Sequence, residues 1–428
     1  MSASNKLQVW GGVECTYNRV VDQYFDQLEM SGHTGRLQDY DEFAKLGLTA
    51  LRIALLWERH RYDPTWTTFD EHLLAMSRLG IEPIAGLMHH GSGPKHTSLL
   101  DPDFPEELSS YARELAQRYP HICMYTPVNE PHTTARFSGM YGLWYPHHIS
   151  VQSYLRALLH QVKATVLCME SVRQIQPDAR LVFTDDFGWI SSTPELRADC
   201  ERMNLEKWLA LDLLCGNVND LHPLFEYMVD AGLSPKEIVW FAEHQCPPDV
   251  IGINYYPTSD RFLDHRVHLY PSDRMSAEGP FADVEAVRVP GCELRGFGTR
   301  IQEAWQRYHI PVAVTEVHLG GDAQEQIRWA ANAYQNILTA RDQGAECIAM
   351  TFWALLGSFY WNQLVTRENG HYEPGVFDIR SGSPVATELA KVVERIAKGL
   401  PLNHPALSGQ GWWATPGRFC FPGHSVAA

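Results

Sequence analysis

The sequence predicts an α/β fold, a (β/α)8 TIM barrel in a single domain, on three observations. Eight short apolar runs recur along the chain, they lack the polar alternation of half-exposed strands, and stretches of helical period stand between them. Near-continuous apolar character marks strands covered on both faces, as in parallel sheets. Eight such units in strand-then-helix order close into a barrel.

The runs, in order, are LQVWGGVEC (7–15), LTALRIALLW (48–57), IEPIAGLMHH (81–90), ICMYTPVNE (122–130), ARLVFTDDF (179–187), PDVIGINYY (248–256), IPVAVTEVH (310–318) and ECIAMTFWALL (346–356). Amphipathic segments such as FDEHLLAMSRLG, FPEELSSYARELAQRYP and QEQIRWAANAYQNILTARDQG supply the helices. Gly47, Gly80 and Gly344 each follow a helical segment and precede a strand, the place of a glycine C-cap. Residues 191–247, rich in helical period, read as a helical elaboration between strands five and six. The barrel is expected over 1–398, with an irregular C-terminal tail over 399–428.

Composition narrows the function. With 45% hydrophobic and 20% charged residues, the 428-residue chain is an ordinary globular protein able to bury a large core. A formal net charge of −16 offers no basic face to nucleic acid or to an anionic membrane. The longest apolar stretches, such as 347–357, are too short to span a bilayer, and the N-terminus lacks a signal-peptide pattern. Nine scattered cysteines without a C-x-x-C pair read as reduced thiols, so a cytoplasmic location is expected.

A barrel of this kind carries its active site at the C-terminal ends of its strands. Those ends hold Glu14, Arg52 and Trp57, His89 and His90, Asn129 and Glu130, Asp185 and Asp186, Asn254 and Tyr255, Glu316 and His318, and Trp353. Glu130 and Glu316, on strands four and seven, stand out because their neighbours are apolar. Buried acids are rare without a partner or a task. Two carboxylates across a barrel mouth suit glycoside hydrolysis, one protonating the leaving oxygen while the other attacks or positions water. The plainer alternative is that each pairs with an arginine at the rim. Asp185 and Asp186 read as turn and capping residues. The histidines, among them His89, His90, His96, His147, His148 and His318, form no H-E-x-x-H or Cys/His spacing, so neither metal nor cofactor is expected.

Six segments in matching order resemble glycoside hydrolase family 1, through nearly the whole chain. TPVNEP looks like the family's T-F-N-E-P, which implies Glu130 as general acid/base and Asn129 as the holder of the sugar's 2-hydroxyl. VTEVH is similar to I-T-E-N-G, implying Glu316 as nucleophile. IEPIAGLMHHGSGP resembles the segment ending Y-H-W-D-L-P and matches His89 to a sugar-binding histidine. LRIALLWER resembles R-F-S-I-S-W-S-R, setting Arg52 beside the nucleophile. VIGINYYPTS is close to L-G-V-N-Y-Y, implying Tyr255 as the hydroxyl partner of Glu316. TFWALLGSFYWN resembles W-S-L-L-D-N-F-E-W and gives Trp353 and Trp361 as platforms for the sugar.

Three departures bear on specificity. Tyr360 stands where the family has the Glu that grips the 4- and 6-hydroxyls, the first-strand Gln falls on either Glu14 or Asn18, and T-E-N-G has become T-E-V-H. The resemblance implies a retaining β-glycosidase acting on a small glycoside, without a cofactor, its glycone specificity altered from glucose or galactose. The other reading is a catalytically quiet barrel that binds a saccharide or a partner protein.

Overall fold

Each of the eight apolar runs contains a strand in the computed structural model of the protein, which describes residues 6–421. The strands are β1 (Gln8–Gly12), β2 (Ala50–Ala54), β3 (Glu82–Gly86), β4 (Met124–Thr126), β5 (Arg180–Asp186), β6 (Val250–Asn254), β7 (Val312–Val317) and β8 (Cys347–Phe352). All pair in parallel with their neighbours in chain order, and β8 closes on β1. A helix follows each: α1 (Asp39–Lys45), α2 (Thr67–Leu79), α3 (Phe104–Arg118), α4 (Val151–Arg173), α5 (Arg197–Leu214), α6 (Gly296–Tyr308), α7 (Ala323–Asp342) and α8 (Glu388–Lys398).

Local chemistry explains the helix limits. α2 buries Phe69, His72, Leu73 and Met76, one stripe at helical spacing, and stops at Gly80, whose φ of 67° suits a residue without a Cβ. Asp322 opens α7 by accepting from the backbone N–H groups of Gln324 and Glu325, both at 2.9 Å.

The bore of the barrel is filled by one residue from every strand: Trp10, Ala50, Ile84, Met124, Val182, Val250, Ala313 and Ala349. The indole of Trp10 has room because three of the other seven are alanines, a large-against-small fit. Two residues further along each strand, on the same inward phase, the series becomes Gly12, Arg52, Gly86, Thr126, Thr184, Gly252, Thr315 and Thr351. Small and hydroxylated side chains thus floor the C-terminal mouth, and Arg52 rises out of that floor.

The elaboration after β5 consists of α5 and two shorter helices, Phe225–Asp230 and Pro235–Glu243. Sequence patterning did not reveal a three-stranded sheet, in which Arg261–Asp264 lies between Ile190–Ser192 and Ala282–Glu285. Its strands are three or four residues long, too short for a period to register. The tail beyond α8 carries 3-10 turns at Pro405–Ser408 and Trp412–Ala414 and packs Trp413 edge-on to Trp329 at 4.8 Å; residues 422–428 lie outside the described residues. All nine cysteines are free thiols. Among the described residues no helix is long and apolar enough to cross a membrane.

Gly12 ties the fold to the mouth, because a Cβ added there would sit 2.2 Å from the Trp353 indole. Gly12→Val is expected to cost about 1–3 kcal/mol, the usual range for overpacking, measured as a lower urea midpoint. Unchanged stability together with an unshifted tryptophan emission spectrum would contradict this packing.

Candidate active site

Glu130 reaches the mouth through a sharp turn. The strand register continues past β4, where Asn129 bridges both His89 and Thr184, and the Glu130 N–H donates to the Thr184 carbonyl at 3.0 Å. Glu130 itself is left-handed (φ 49°), and Pro131 then opens the short helix Pro131–Ala135, whose His132 N–H is capped by Asp185 Oδ2 at 3.0 Å. A non-glycine residue held in that region stores on the order of 1–3 kcal/mol of strain. The surrounding hydrogen bonds therefore over-determine the carboxyl position.

Glu316 arrives by a different device. Val314 pairs with Ile253 and Glu316 with Asn254, so two steps along β7 match one along β6. Such a bulge re-aims side chains. It lets Thr315 and Glu316 both face the mouth, where strict alternation would send one of them outward. The Thr315 hydroxyl donates to Asn254 Oδ1 at 2.7 Å, and the Asn254 amide donates to Glu130 Oε1 at 2.6 Å, so a short chain of hydrogen bonds links the two strand ends.

The two carboxyl groups sit in unequal surroundings. Glu316 accepts from Arg52 Nη1 (2.9 Å) through Oε1 and from the Tyr256 hydroxyl (2.5 Å) through Oε2. Glu130 has the uncharged Asn254 amide, with His90 Nε2 at 3.9 Å. Both residues are nearly closed off, Glu316 3% and Glu130 4% exposed. Burial pushes the Glu316 carboxyl up to about 7, against the pull of Arg52 and Tyr256 toward the ionised form. Glu130 is raised well above the usual carboxylate range, first by burial and then by the charge of Glu316. The pair shares one proton more readily than it loses both, and the surroundings of Glu130, which lack a cation, favour the protonated form there more than those of Glu316 do.

Arg52 organises the rest. Its Nη1 also donates to the Thr315 carbonyl (3.1 Å), its Nη2 donates to Asn129 Oδ1 (2.5 Å), and its guanidinium lies over Trp353, 4.6 Å from the ring centroid. Asn129 Oδ1 also accepts from Thr184 Oγ1 at 2.7 Å, which fixes the amide orientation, and its Nδ2 faces His89 Nε2 at 3.3 Å. His89 stacks on Trp353 with centroids 5.0 Å apart and planes 11° apart. Burial and neighbouring positive charge depress both histidines, His90 to about 3, so both rings are neutral near neutral pH. Trp361 stands edge-on to His90 at 5.6 Å, with its Nε1 buried and without a hydrogen-bond partner.

The structure thus brings together Arg52, His89, Asn129, Glu130, Glu316, Trp353 and Trp361. Tyr255 is a correction: it points out of the barrel, donating to Asp260 Oδ2 (2.8 Å) and accepting from the Gly296 N–H (2.9 Å). Its neighbour Tyr256 is the hydroxyl on Glu316. Period-2 counting carried the signal, because Val250, Gly252 and Asn254 face inward and Tyr256 continues that phase. Asn254, the partner of Glu130, was visible as a strand-end residue without a task assigned. Glu14 enters the mouth on the inward phase of β1 and accepts from Trp353 Nε1 at 3.0 Å. Asn18 instead donates through Nδ2 to the Val365 carbonyl at 2.9 Å, helping to tie the segment after β8 across the mouth, as Trp144 Nε1 does at the Leu364 carbonyl (2.8 Å). Tyr360 begins that segment on a left-handed backbone (φ 61°).

No family model matches the sequence, and no curated protein matches it. Solved structures do. A family 1 β-glucosidase from Thermotoga maritima aligns over 94% of this chain and 99% of its own, with a TM-score of 0.74 at 15% identity. The β-glucosidase of that organism in complex with deoxynojirimycin, and in complex with a galacto-hydroximolactam, gives the same coverage and TM-score at 16% identity. The chain shares the (β/α)8 barrel fold of these structures. At this identity the likeness speaks for architecture and leaves the chemistry to the site.

Tyr256→Phe removes a donor that favours the ionised carboxylate, so the Glu316 titration is expected to move up, by about one unit given the usual worth of a hydrogen bond to a charged group. Tyr255→Phe is expected to leave that titration in place and to lower thermal stability. Carbon-13 NMR of labelled glutamates separates the two, and equal shifts in both variants would refute the assignment.

Proposed function

We propose that the protein is a retaining β-glycosidase that hydrolyses a small β-linked glycoside by double displacement. The observation that carries this reading is the pair of buried carboxyl groups with opposite wiring: Glu316 on a guanidinium and a phenol, Glu130 on an amide alone. A nucleophile must be ionised and an acid must hold its proton; these surroundings favour that division. The inhibitors in the β-glucosidase complexes support a small carbohydrate ligand for a barrel of this shape.

In the first step a Glu316 oxygen bonds to the anomeric carbon, the bond from that carbon to the leaving oxygen breaks, and the Glu130 proton passes to that oxygen. In the second, a water oxygen bonds to the anomeric carbon, its proton returns to Glu130, and the Glu316 ester bond breaks. Arg52 and Tyr256 hold Glu316 for attack, Asn129 is oriented toward the 2-hydroxyl, His89 offers its ring nitrogen, and Trp353 and Trp361 flank the sugar. Tyr360 replaces a carboxylate that would grip the 4- and 6-hydroxyls, so the glycone differs from the usual glucose or galactose. The free thiols support a reducing, cytoplasmic setting.

The test is turnover of a panel of aryl β-glycosides. Glu316→Gln is expected to lower kcat about a thousandfold or more, as loss of a nucleophile does, and Glu130→Gln about a hundredfold or more. Full activity of Glu316→Gln on a substrate the native protein cleaves would refute the mechanism.

A pH profile gives a second check. Glu316 must lose its proton, so kcat/KM is expected to rise as pH passes through about 7. Glu130 must keep its proton, so activity is expected to fall at higher pH. Glu130→Gln should remove the alkaline limb and keep the acid one; loss of the acid limb instead would reverse the two roles.

A further inference from the structure

Glu14 is a third carboxyl group in the mouth, and neither the double displacement nor the hydrogen bonds of Arg52 use it. It lies on the inward phase of β1, 4% exposed, two residues beyond the Gly12 on which Trp353 packs. Its partners are both uncharged: Oε2 accepts from Trp353 Nε1 (3.0 Å) and Oε1 from the Thr16 N–H (2.9 Å). Among the described residues it forms no ion pair. Two hydrogen bonds fix the group in place while leaving one lone pair on each oxygen open. It meets the edge of the Trp353 indole on whose face the Arg52 guanidinium lies, and Arg52 in turn holds Glu316.

At a pH above about 7 Glu316 is ionised and paired with Arg52, which leaves the charge of Glu14 without a cation of its own. His89 and His90, held neutral, do not offset it. A buried charge without a counter-ion is costly, and a ligand of opposite charge relieves that cost. Close to Glu14 in the chain, Asn18 Oδ1 and Thr16 Oγ1 are buried without hydrogen-bond partners, so acceptor capacity on the β1 side of the barrel is unmet.

We propose that Glu14 sets the charge of the glycone this site accepts, placing an amino-sugar glycoside ahead of its neutral counterpart and turning away uronates and sugar phosphates. This rests on the reading that the mouth takes a glycone, and it names the substrate class of that same site. The determinant is one residue, and it acts by charge and acceptor capacity.

The test uses three ligands that differ only at C6: methyl 6-amino-6-deoxy-β-D-glucoside, methyl β-D-glucoside and methyl β-D-glucuronide, with the galacto series in parallel. Binding is measured by calorimetry at about pH 8, above the Glu316 value of about 7, on full-length Glu130→Gln, with and without Glu14→Gln or Glu14→Asp. The ammonium ligand is expected to bind most tightly and the uronate least. Glu14→Gln should narrow the interval between them about tenfold, a single charge interaction's worth, while Glu14→Asp keeps the ranking. A residue that merely held the indole of Trp353 would weaken all three ligands alike. An unchanged interval in Glu14→Gln, a uronate as tight as the glucoside, or no binding by either series overturns the proposal. Aryl glycoside turnover by the native protein is read separately. Charge-ranked binding without turnover would sink the hydrolase reading and leave this one standing, and turnover without the ranking would do the reverse.

Discussion

The mouth of this barrel depends on the burial of one guanidinium. Arg52 rises from the floor of small residues and is 6% exposed, a position in which an unpaired cation would be costly. It is met on three sides by oxygen: the Glu316 carboxylate, the Asn129 amide and the Thr315 carbonyl, with the Trp353 face alongside. Four strands therefore converge on one planar donor group. Its rigid fork fixes angles as well as distances, which an ammonium on a flexible stem does not do.

From that anchor the rest of the site follows in steps. Arg52 pulls Glu316 toward the ionised form against its burial, the charge of Glu316 discourages a second ionisation at Glu130, and Asn254 supplies Glu130 with an orientation but no counter-charge. The roles of the two acids are thus set less by the acids than by what surrounds them. Thr184 and Thr315, which look like filler in a buried strand, turn the two asparagines so that each presents its acceptor to a donor in the floor and its amide to the mouth.

Much of the architecture was legible because parallel strands buried on both faces leave apolar runs, and eight of them occur in register with helices between. The candidate site was legible where the chain leaves a strand: Asn129 and Glu130 stand at the end of one run and Arg52 within another, and the structure brings them to one mouth. Two things escaped. The bulge in β7 has no signature in VAVTEV, since it depends on how β6 and β8 pair alongside, and the orientation of Tyr255 against Tyr256 required counting phase from residues known to face inward. The short sheet around Arg261–Asp264 escaped because its strands, three or four residues long, are too short to show a period.

An identity of about 15% to barrels of the same shape is intelligible on these terms. The bore asks only that volumes sum correctly, so Trp10 against three alanines is one solution among many. At the mouth the constraint is stricter, because every polar group there is buried and must find a partner or meet a ligand. Glu14 and Trp361 each leave hydrogen-bonding capacity open, Glu14 on the indole that faces Arg52 and Trp361 beside His90. Where a closed, well-packed barrel leaves donors and acceptors unmet, the missing partner is most economically a bound ligand. The pattern of unmet groups, rich in acceptors on the β1 side, is therefore a description of that ligand in negative.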